Sequence, residues 1–464
     1  MNKAKPVSPF RLSSLLRLQK DPKLALQLFR NPNPNLNNEV PQTKPFRYNH
    51  LHYDLIITKL GRAKMFDEMQ QVLYQLKHDT RVTPEETIFC NVINFYGRVR
   101  LLEQARQMFD EMPSFNVHRT VKSFNTLLNV LLKCGEFDKM WEVFESMEKC
   151  VSPDACSYNI LIHRCVVSGR LGHAWRVFGE MIKRGLKPTV VTFGTLIYAL
   201  CLDSRLEEAL KLKEDMMRVF KVRPNAHVFA SLIKALCGVG ELSLALKFKE
   251  QMMRNKIDLD SAIYNTLISA FFKVGRKDEV SGILEEMGEN GCKPDTVTYN
   301  AMISGFCKEK DFEAAFRILD EMGDKCVKAN VISYNVILGG LCNEGKCSEA
   351  KDLFEDMPRR GCAPDVVSYR ILFDGLCSGM QFTEAALILD EMIFKGYVPL
   401  CAHIHIFVDR LCEVGNVEVL WTVLNTLVKG NAINFDTWRI VISKVCKEEN
   451  LSNVSELVEI LIRP

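Results

Sequence analysis

Five asparagines, Asn125, Asn159, Asn265, Asn300 and Asn335, each follow an aromatic residue, in "SFNTLL", "SYNILI", "IYNTLI", "TYNAMI" and "SYNVIL". Asparagine is a poor helix former, yet the apolar residues around it fall at helical spacing. A side-chain amide carries both a hydrogen-bond donor and an acceptor. At about 100° per residue the asparagine lies off the apolar stripe that begins one residue earlier. A row of such amides on one face is suited to reading the edge of an unstacked base.

Other reactive groups point elsewhere. The chain holds 17 cysteines but no CxxC pair. Cys201, Cys237, Cys307, Cys342, Cys377, Cys412 and Cys446 share one phase, mostly 35 residues apart, which marks a small apolar packing residue rather than a disulfide or metal framework. In "CAHIHIFVDRLC" the residues Cys401, His403, His405 and Cys412 lie close in sequence. Residues two apart on a helix do not share a face, so no metal site is expected. The recurring "EEM" and "DEM" acids belong to exposed helix faces and supply no catalytic carboxylate pair. Trp141, Trp175, Trp421 and Trp438 occupy apolar phases and are expected in the core.

These residues belong to a ladder. Repeats open at His50, Glu86, Val121, Ala155, Val190, Ala226, Ser261, Thr296, Val331, Val366, Cys401 and Phe435. Most span 35 residues, and the four exceptions differ by one. Apolar residues at positions 4, 7, 8 and 11 predict a first helix, and those near 20, 23, 24 and 27 a second. Glycine often stands at position 15 (Gly135, Gly240, Gly275, Gly345, Gly415), where a helix ends. Proline stands at or beside position 34 (Pro84, Pro153, Pro188, Pro224, Pro294, Pro364, Pro399) and turns the chain. A helical hairpin of this kind buries its apolar face only against its neighbours, so the expected fold class is an all-α superhelical solenoid with a concave inner surface.

Two hairpin families have a similar period. The tetratricopeptide pattern wants an early Trp followed by Leu-Gly, and that Gly position here is Ile or Leu. The elements "YNTLI", "GLC", "EAxxLFxEM" and "G…PD" instead resemble the pentatricopeptide repeat, in eleven consecutive copies over 50–434, with the near-uniform spacing of its P-type subfamily. Residues 12–49 read as a degenerate N-terminal cap and 435–464 as a partial C-terminal repeat. The resemblance implies one single-stranded RNA base per repeat, chosen jointly by positions 5 and 35, with position 2 packing on base faces. Asn125/Asp154, Asn265/Asp295 and Asn335/Asp365 resemble the uridine-preferring pair, Asn300/Asn330 the cytidine-leaning one, and Asn159/Thr189 a pyrimidine reader. Val191, Val297, Ile332 and Val367 match the base-flanking wedge. Arg62, Arg98, Lys133, Lys273, Lys308 and Lys447 stand at position 13, which the resemblance places near phosphates; a cation before a helix C-terminus is favourable in any case. Cys90/Thr120, Gly194/Asn225, Ala230/Asp260, Arg370/Leu400 and His405/Asn434 match no clear rule, and Asp54/Glu85 would place two acids in the groove. The expected target is a strand of the form Y-Y-n-n-U-Y-U, running 5′ to 3′ with the chain.

Composition is compatible with this reading. With 60 Lys and Arg against 57 Asp and Glu the net charge is +3, so any basic surface must be local. No apolar run approaches a membrane span. Residues 1–11, with Lys3, Lys5 and Arg11 and no acid, resemble a short targeting segment, implying a mitochondrion or, alternatively, a chloroplast. The catalytic tails that some family members carry, with His-x-Glu and Pro-Cys-x-x-Cys signatures, have no counterpart here. The expectation is a non-enzymatic, cofactor-free, monomeric binder of single-stranded RNA, with protein partners from RNA processing or the ribosome. The rival reading is a scaffold gripping structured RNA or protein without base readout. A peptide adaptor would carry Lys and Arg at position 5, and this chain does not repeat them there.

Overall fold

The sequence period is the helix register. First helices begin at His50, Glu86, Val121, Ala155, Val190, Ala226, Ser261, Thr296, Val331, Val366 and Cys401, the residues that open the repeats. The computed structural model describes residues 7–32, 46–414, 417–430, 436–439 and 441. Second helices start at position 17, where Phe66, Leu102, Phe137, Leu171, Leu206, Leu242, Phe312 and Phe382 stand. Repeat 7 has Lys277 there and enters through a 3-10 turn, Lys277–Glu279, before the helix Val280–Glu289.

Each boundary has a local cause. Asp154, Thr189, Asp295, Asn330 and Asp365 cap the following first helix, each accepting from the backbone N–H three residues on. The Ser or Thr at that third position returns a bond to the cap's own N–H, completing a capping box. The turn between the two helices needs a left-handed residue at position 15. Gly135 supplies it at φ +86° and Gly345 at +74°. Where glycine is missing, Lys310 and Met380 adopt the same conformation at +63° and +58°, each at a cost of about 1–2 kcal/mol.

The core is a repeated pair of contacts. Tyr158, Tyr264 and Tyr369 at position 4 are fully buried, as are Met147, Met287, Met322 and Met392 at position 27. The chain divides into two compact bodies, Met1–Val228 and Phe229–Pro464. Within each, the first helix of one repeat packs along the first helix of the next.

That helix pairing is fitted by size. A Cβ at Gly305 would lie 2.2 Å from the Phe272 ring, and one at Gly375 would lie 2.3 Å from Cys342 Sγ. In both pairs a side chain at position 12 enters a gap at position 10 of the next repeat. The first body uses the mirror solution: Phe95 at position 10 fills the space over Gly61 at position 12, and Val130 the space over Gly97. In each pair a larger side chain on one helix is met by a glycine on its neighbour, as close packing requires. The in-phase cysteines fill this seam. Cys237, Cys307, Cys342, Cys377 and Cys412 are buried and Cys201 is half-buried, whereas Cys446 lies outside the described residues. Burial pushes the Cys307 thiol up to about 11 and Cys342 to about 12.

The first described helix, Pro9–Leu18, is capped by Ser8 and buries Leu12 and Leu16, and the Pro9 carbonyl meets His52 Nε2 at 2.8 Å. The segment expected over 1–11 thus includes the exposed first turn of this helix. One expectation is corrected. The tryptophans are not core residues: Trp421 is 47% exposed, and Trp141, Trp175 and Trp438 are half-buried. Trp141 and Trp175 stand edge-on to Phe144 and Phe178, of which Phe144 is buried and Phe178 half-buried.

Candidate nucleic-acid interface

The fifth residue of a repeat sits in the second turn of its first helix, and the thirty-fifth caps the first helix of the next repeat. The fold brings them together. Asn125 Nδ2 donates to Asp154 Oδ1 at 3.1 Å, Asn159 Nδ2 to Thr189 Oγ1 at 3.1 Å, and Asn335 Nδ2 to Asp365 Oδ1 at 3.3 Å. Asn300 Nδ2 reaches Asn330 Oδ1 at 3.5 Å. The Asn265 amide lies near enough to Asp295 to help lower its pKa.

The thirty-fifth residue is thus both helix cap and partner of the amide. Burial alone would raise the Asp365 and Asp154 carboxyls. The N–H and hydroxyl of Ser368 and Ser157, with the Asn335 and Asn125 amides, outweigh it and hold both below the ordinary carboxylate range. Asp295 is lowered chiefly by the Thr298 N–H. A side-chain amide has two N–H donors and two acceptor lone pairs. In these pairs the contacts use one donor, and each nitrogen keeps a second hydrogen.

Unsatisfied polar atoms gather at the same place. Among the described residues, buried side-chain atoms without a hydrogen-bond partner are Asp54 Oδ1, Asn265 Oδ1, Asn300 Oδ1 and Arg370 Nε, together with Tyr158 Oη and Arg164 Nε. The first four are all fifth residues. Such atoms are costly when nothing meets them, about 1–3 kcal/mol each, and four of the six share one register position.

The second position lies beside this line. Val191, Val297, Ile332 and Val367 are 57%, 60%, 60% and 45% exposed. Arg62, Arg98, Lys133, Lys273 and Lys308 are exposed at the ends of first helices, and Lys447 lies outside the described residues. A groove in the second body is lined by Lys234, Thr266, Ser269, Lys273, Ser304 and Lys308, which gathers three cations along consecutive first helices. Lys273 Nζ also donates to the Gly238 carbonyl near the end of the preceding first helix, the helix-terminus role available to such a cation.

The remaining fifth positions differ. Cys90 is buried, and Arg370 Nη2 donates to the Val398 carbonyl at 2.9 Å. Asn434, the expected partner of His405, lies outside the described residues. In repeat 2, without asparagine, the Glu86 carboxylate takes over the link to the next helix, accepting from the Thr120 N–H at 3.0 Å and the Ser123 N–H at 3.2 Å. His403 Nδ1 pairs with Asp374 Oδ1 at 2.5 Å. No helix among the described residues is long and apolar enough to cross a membrane.

Sequence reasoning missed one set of residues. Ser157, Thr192 and Ser368 donate their hydroxyls to the Oδ1 atoms of Asn125, Asn159 and Asn335 at 2.7, 2.6 and 2.6 Å. The signal was available in the recurrence of Ser or Thr at position 3, also seen at Ser123, Thr298 and Ser333.

Comparison with known proteins bears on this array. Models described as PPR repeat family and PPR repeat match residues 119–166, 153–202, 259–308, 294–343 and 329–378, and residues 87–117, 191–219, 227–257 and 367–397. A pentatricopeptide repeat-containing protein of Arabidopsis thaliana is 57% identical over 251 residues, 46% of this chain and 53% of that protein. An Arabidopsis small ribosomal subunit protein is 31% identical over 178 residues, 38% of this chain and 43% of its own length. Other Arabidopsis relatives, at 27–36% identity, carry the word mitochondrial in their names. The matches span about half the length of the curated relatives. The crystal structure of the pentatricopeptide repeat protein PPR10 from maize aligns over 98% of this chain and 79% of that one, at 17% identity and a TM-score of 0.42.

Proposed function

The chain belongs to the pentatricopeptide repeat family, and on that premise we propose that it binds single-stranded RNA and selects pyrimidines one repeat at a time. The observation that carries this reading is the clustering of unsatisfied buried polar atoms at fifth residues, beside second residues that expose β-branched side chains. An unstacked base fits between two such apolar side chains and offers its polar edge to the amide. Repeats 3 and 4 form one reading island in the first body; repeats 7, 8 and 9 form another in the second. Lys273 and Lys308 meet phosphates beside the second island. No catalytic step is assigned to the chain. Its action is to cover the element, and so to block a nuclease, keep a hairpin open or hold a site for a partner enzyme.

The setting is organellar on this reading. The basic, acid-free start of the chain supports import, and the mitochondrion is the favoured compartment. A second reading, a ribosome-associated scaffold, is supported by the likeness to a ribosomal subunit protein and by the amides being already engaged within the protein. Selection from a random RNA pool with the purified chain separates the two. Base reading predicts enrichment of U and C in two short islands; binding without base bias would leave the scaffold.

A further inference from the structure

Ser157 and Ser368 are third residues of repeats 4 and 10, fully buried, and each reaches back across a repeat boundary. The Ser368 hydroxyl lies 2.6 Å from Asn335 Oδ1 and 3.0 Å from Asp365 Oδ1. That of Ser157 lies 2.7 Å from Asn125 Oδ1 and 2.9 Å from Asp154 Oδ1. In both cases the shorter approach is to the amide. Each of these amides is therefore held at two points, its nitrogen by a carboxylate that can only accept and its oxygen by a hydroxyl. Repeat 7 carries the same Asn/Asp pair but not the second hold. Thr298 Oγ1 donates to Asp295 Oδ1 at 3.1 Å, and Asn265 Oδ1 is left without a partner.

We propose that Ser157 and Ser368 are positioning residues that fix the plane of the reading amide, so that repeats 3 and 9 discriminate uracil from cytosine more sharply than repeat 7, although all three carry the same Asn/Asp pair. This rests on the base-reading function proposed above. The chemistry lies in the order of donors and acceptors. Along its pairing edge uracil presents the N3–H donor beside the O4 acceptor, and cytosine presents the N3 acceptor beside an N4–H donor. A planar amide offers one acceptor and one donor, so it fits uracil in one orientation and cytosine in the reverse. Two attachment points set the orientation, whereas a single point leaves the plane free to swing. The specificity of a repeat is then shared with a residue of its successor.

The test uses the full-length chain and RNAs built on its selected site, with U or C at the nucleotide opposite repeat 9 or repeat 7. The wild type is expected to show a U-over-C affinity ratio opposite repeat 9 about three- to tenfold above that opposite repeat 7, the span that one hydrogen bond supports. Ser368→Ala should bring the repeat 9 ratio down to the repeat 7 level, and Ser368→Thr, which keeps the hydroxyl, should retain it. Thr298→Val removes an equivalent capping hydroxyl and should leave the ratio opposite repeat 7 unchanged. Loss of overall affinity in Ser368→Ala with an unaltered ratio would show a merely structural hydroxyl and overturn the proposal. Equal wild-type ratios opposite the two repeats would do the same. A wild type indifferent to the base at both nucleotides would instead refute base reading itself.

Discussion

Asn335 and Asp365 stand 30 residues apart in the chain, and the amide nitrogen of the first lies 3.3 Å from a carboxylate oxygen of the second. The same carboxylate oxygen accepts the Ser368 N–H at 2.9 Å and so starts the next first helix. One hydrogen-bonded group thus ends one repeat, begins another and holds the side chain placed to meet a ligand. A change at either residue alters the orientation of the other, which is a physical reason for the two positions to act jointly.

Replacing Asn335 with Ser keeps a polar side chain but removes the paired donor and acceptor. Preference at a single nucleotide should relax by about 1–3 kcal/mol, the worth of a good bidentate contact, while preferences opposite repeats 7 and 8 stay as they were. Competition binding with RNAs changed one nucleotide at a time reads this directly. An unchanged profile would remove the assignment of Asn335.

Lys273 and Lys308 share a groove with Lys234. Their double replacement by Ala should weaken binding to every sequence alike. If each meets one phosphate, the slope of log affinity against log salt should become shallower by about 1.4, at about 0.7 per single-strand phosphate. A slope identical to wild type would show that these lysines serve helix ends alone, as the Lys273 contact with the Gly238 carbonyl already allows.

Much of this was legible in the sequence because the repeat enforces it. Tyr158, Tyr264 and Tyr369 recur in the same phase since each fills the same space, and the residues opening the ladder from His50 to Cys401 are the first residues of helices, whereas Phe435 lies outside the described residues. The tryptophans misled because phase alone does not distinguish a fully buried position from a seam: Trp421 follows the apolar period yet remains 47% exposed. The third-position hydroxyls were visible as a recurring Ser or Thr. Their bond to the preceding amide was not, because capping already accounts for them and the choice between amide and carboxylate is settled by a few tenths of an ångström. The exchange of large and small residues between Phe95/Gly61 and Phe272/Gly305 was also hidden, since it relates two positions in different repeats.

The capping carboxylates give stability a pH dependence of definite sign. Asp154, Asp295 and Asp365 have folded pKa values below their unfolded ones, the latter about 3.9. The stability they add is present above that value and is lost as pH falls through it toward the folded values. Replacing the three with Asn keeps a capping oxygen, as Asn330 demonstrates, and removes the titration. Calorimetry should find the wild type ahead of the triple variant by a constant margin above about pH 5, and the margin should shrink below about pH 4. A margin independent of pH would mean that these carboxyls are not held in their charged form by the helix starts.

The helix seam offers the strictest test of the fold. At Gly305 an added Cβ would stand 2.2 Å from the Phe272 ring, which is also fixed edge-on to Phe306 with ring centroids 4.9 Å apart. The ring cannot withdraw without losing that contact, and the backbone of the Thr296–Lys308 helix cannot withdraw without disturbing its own cap at Asp295. Gly305→Ala should therefore cost about 1–3 kcal/mol, the usual range for overpacking, and lower the thermal midpoint. Phe272→Ala alone should cost as much or more through the cavity it leaves. Together the two changes should be less damaging than their sum, because the new methyl occupies space that the ring has vacated. The first body already uses that inverse arrangement at Gly61 and Phe95. Strict additivity in the double variant would mean that Phe272 and Gly305 do not share one volume, and that the seam is fixed by other contacts.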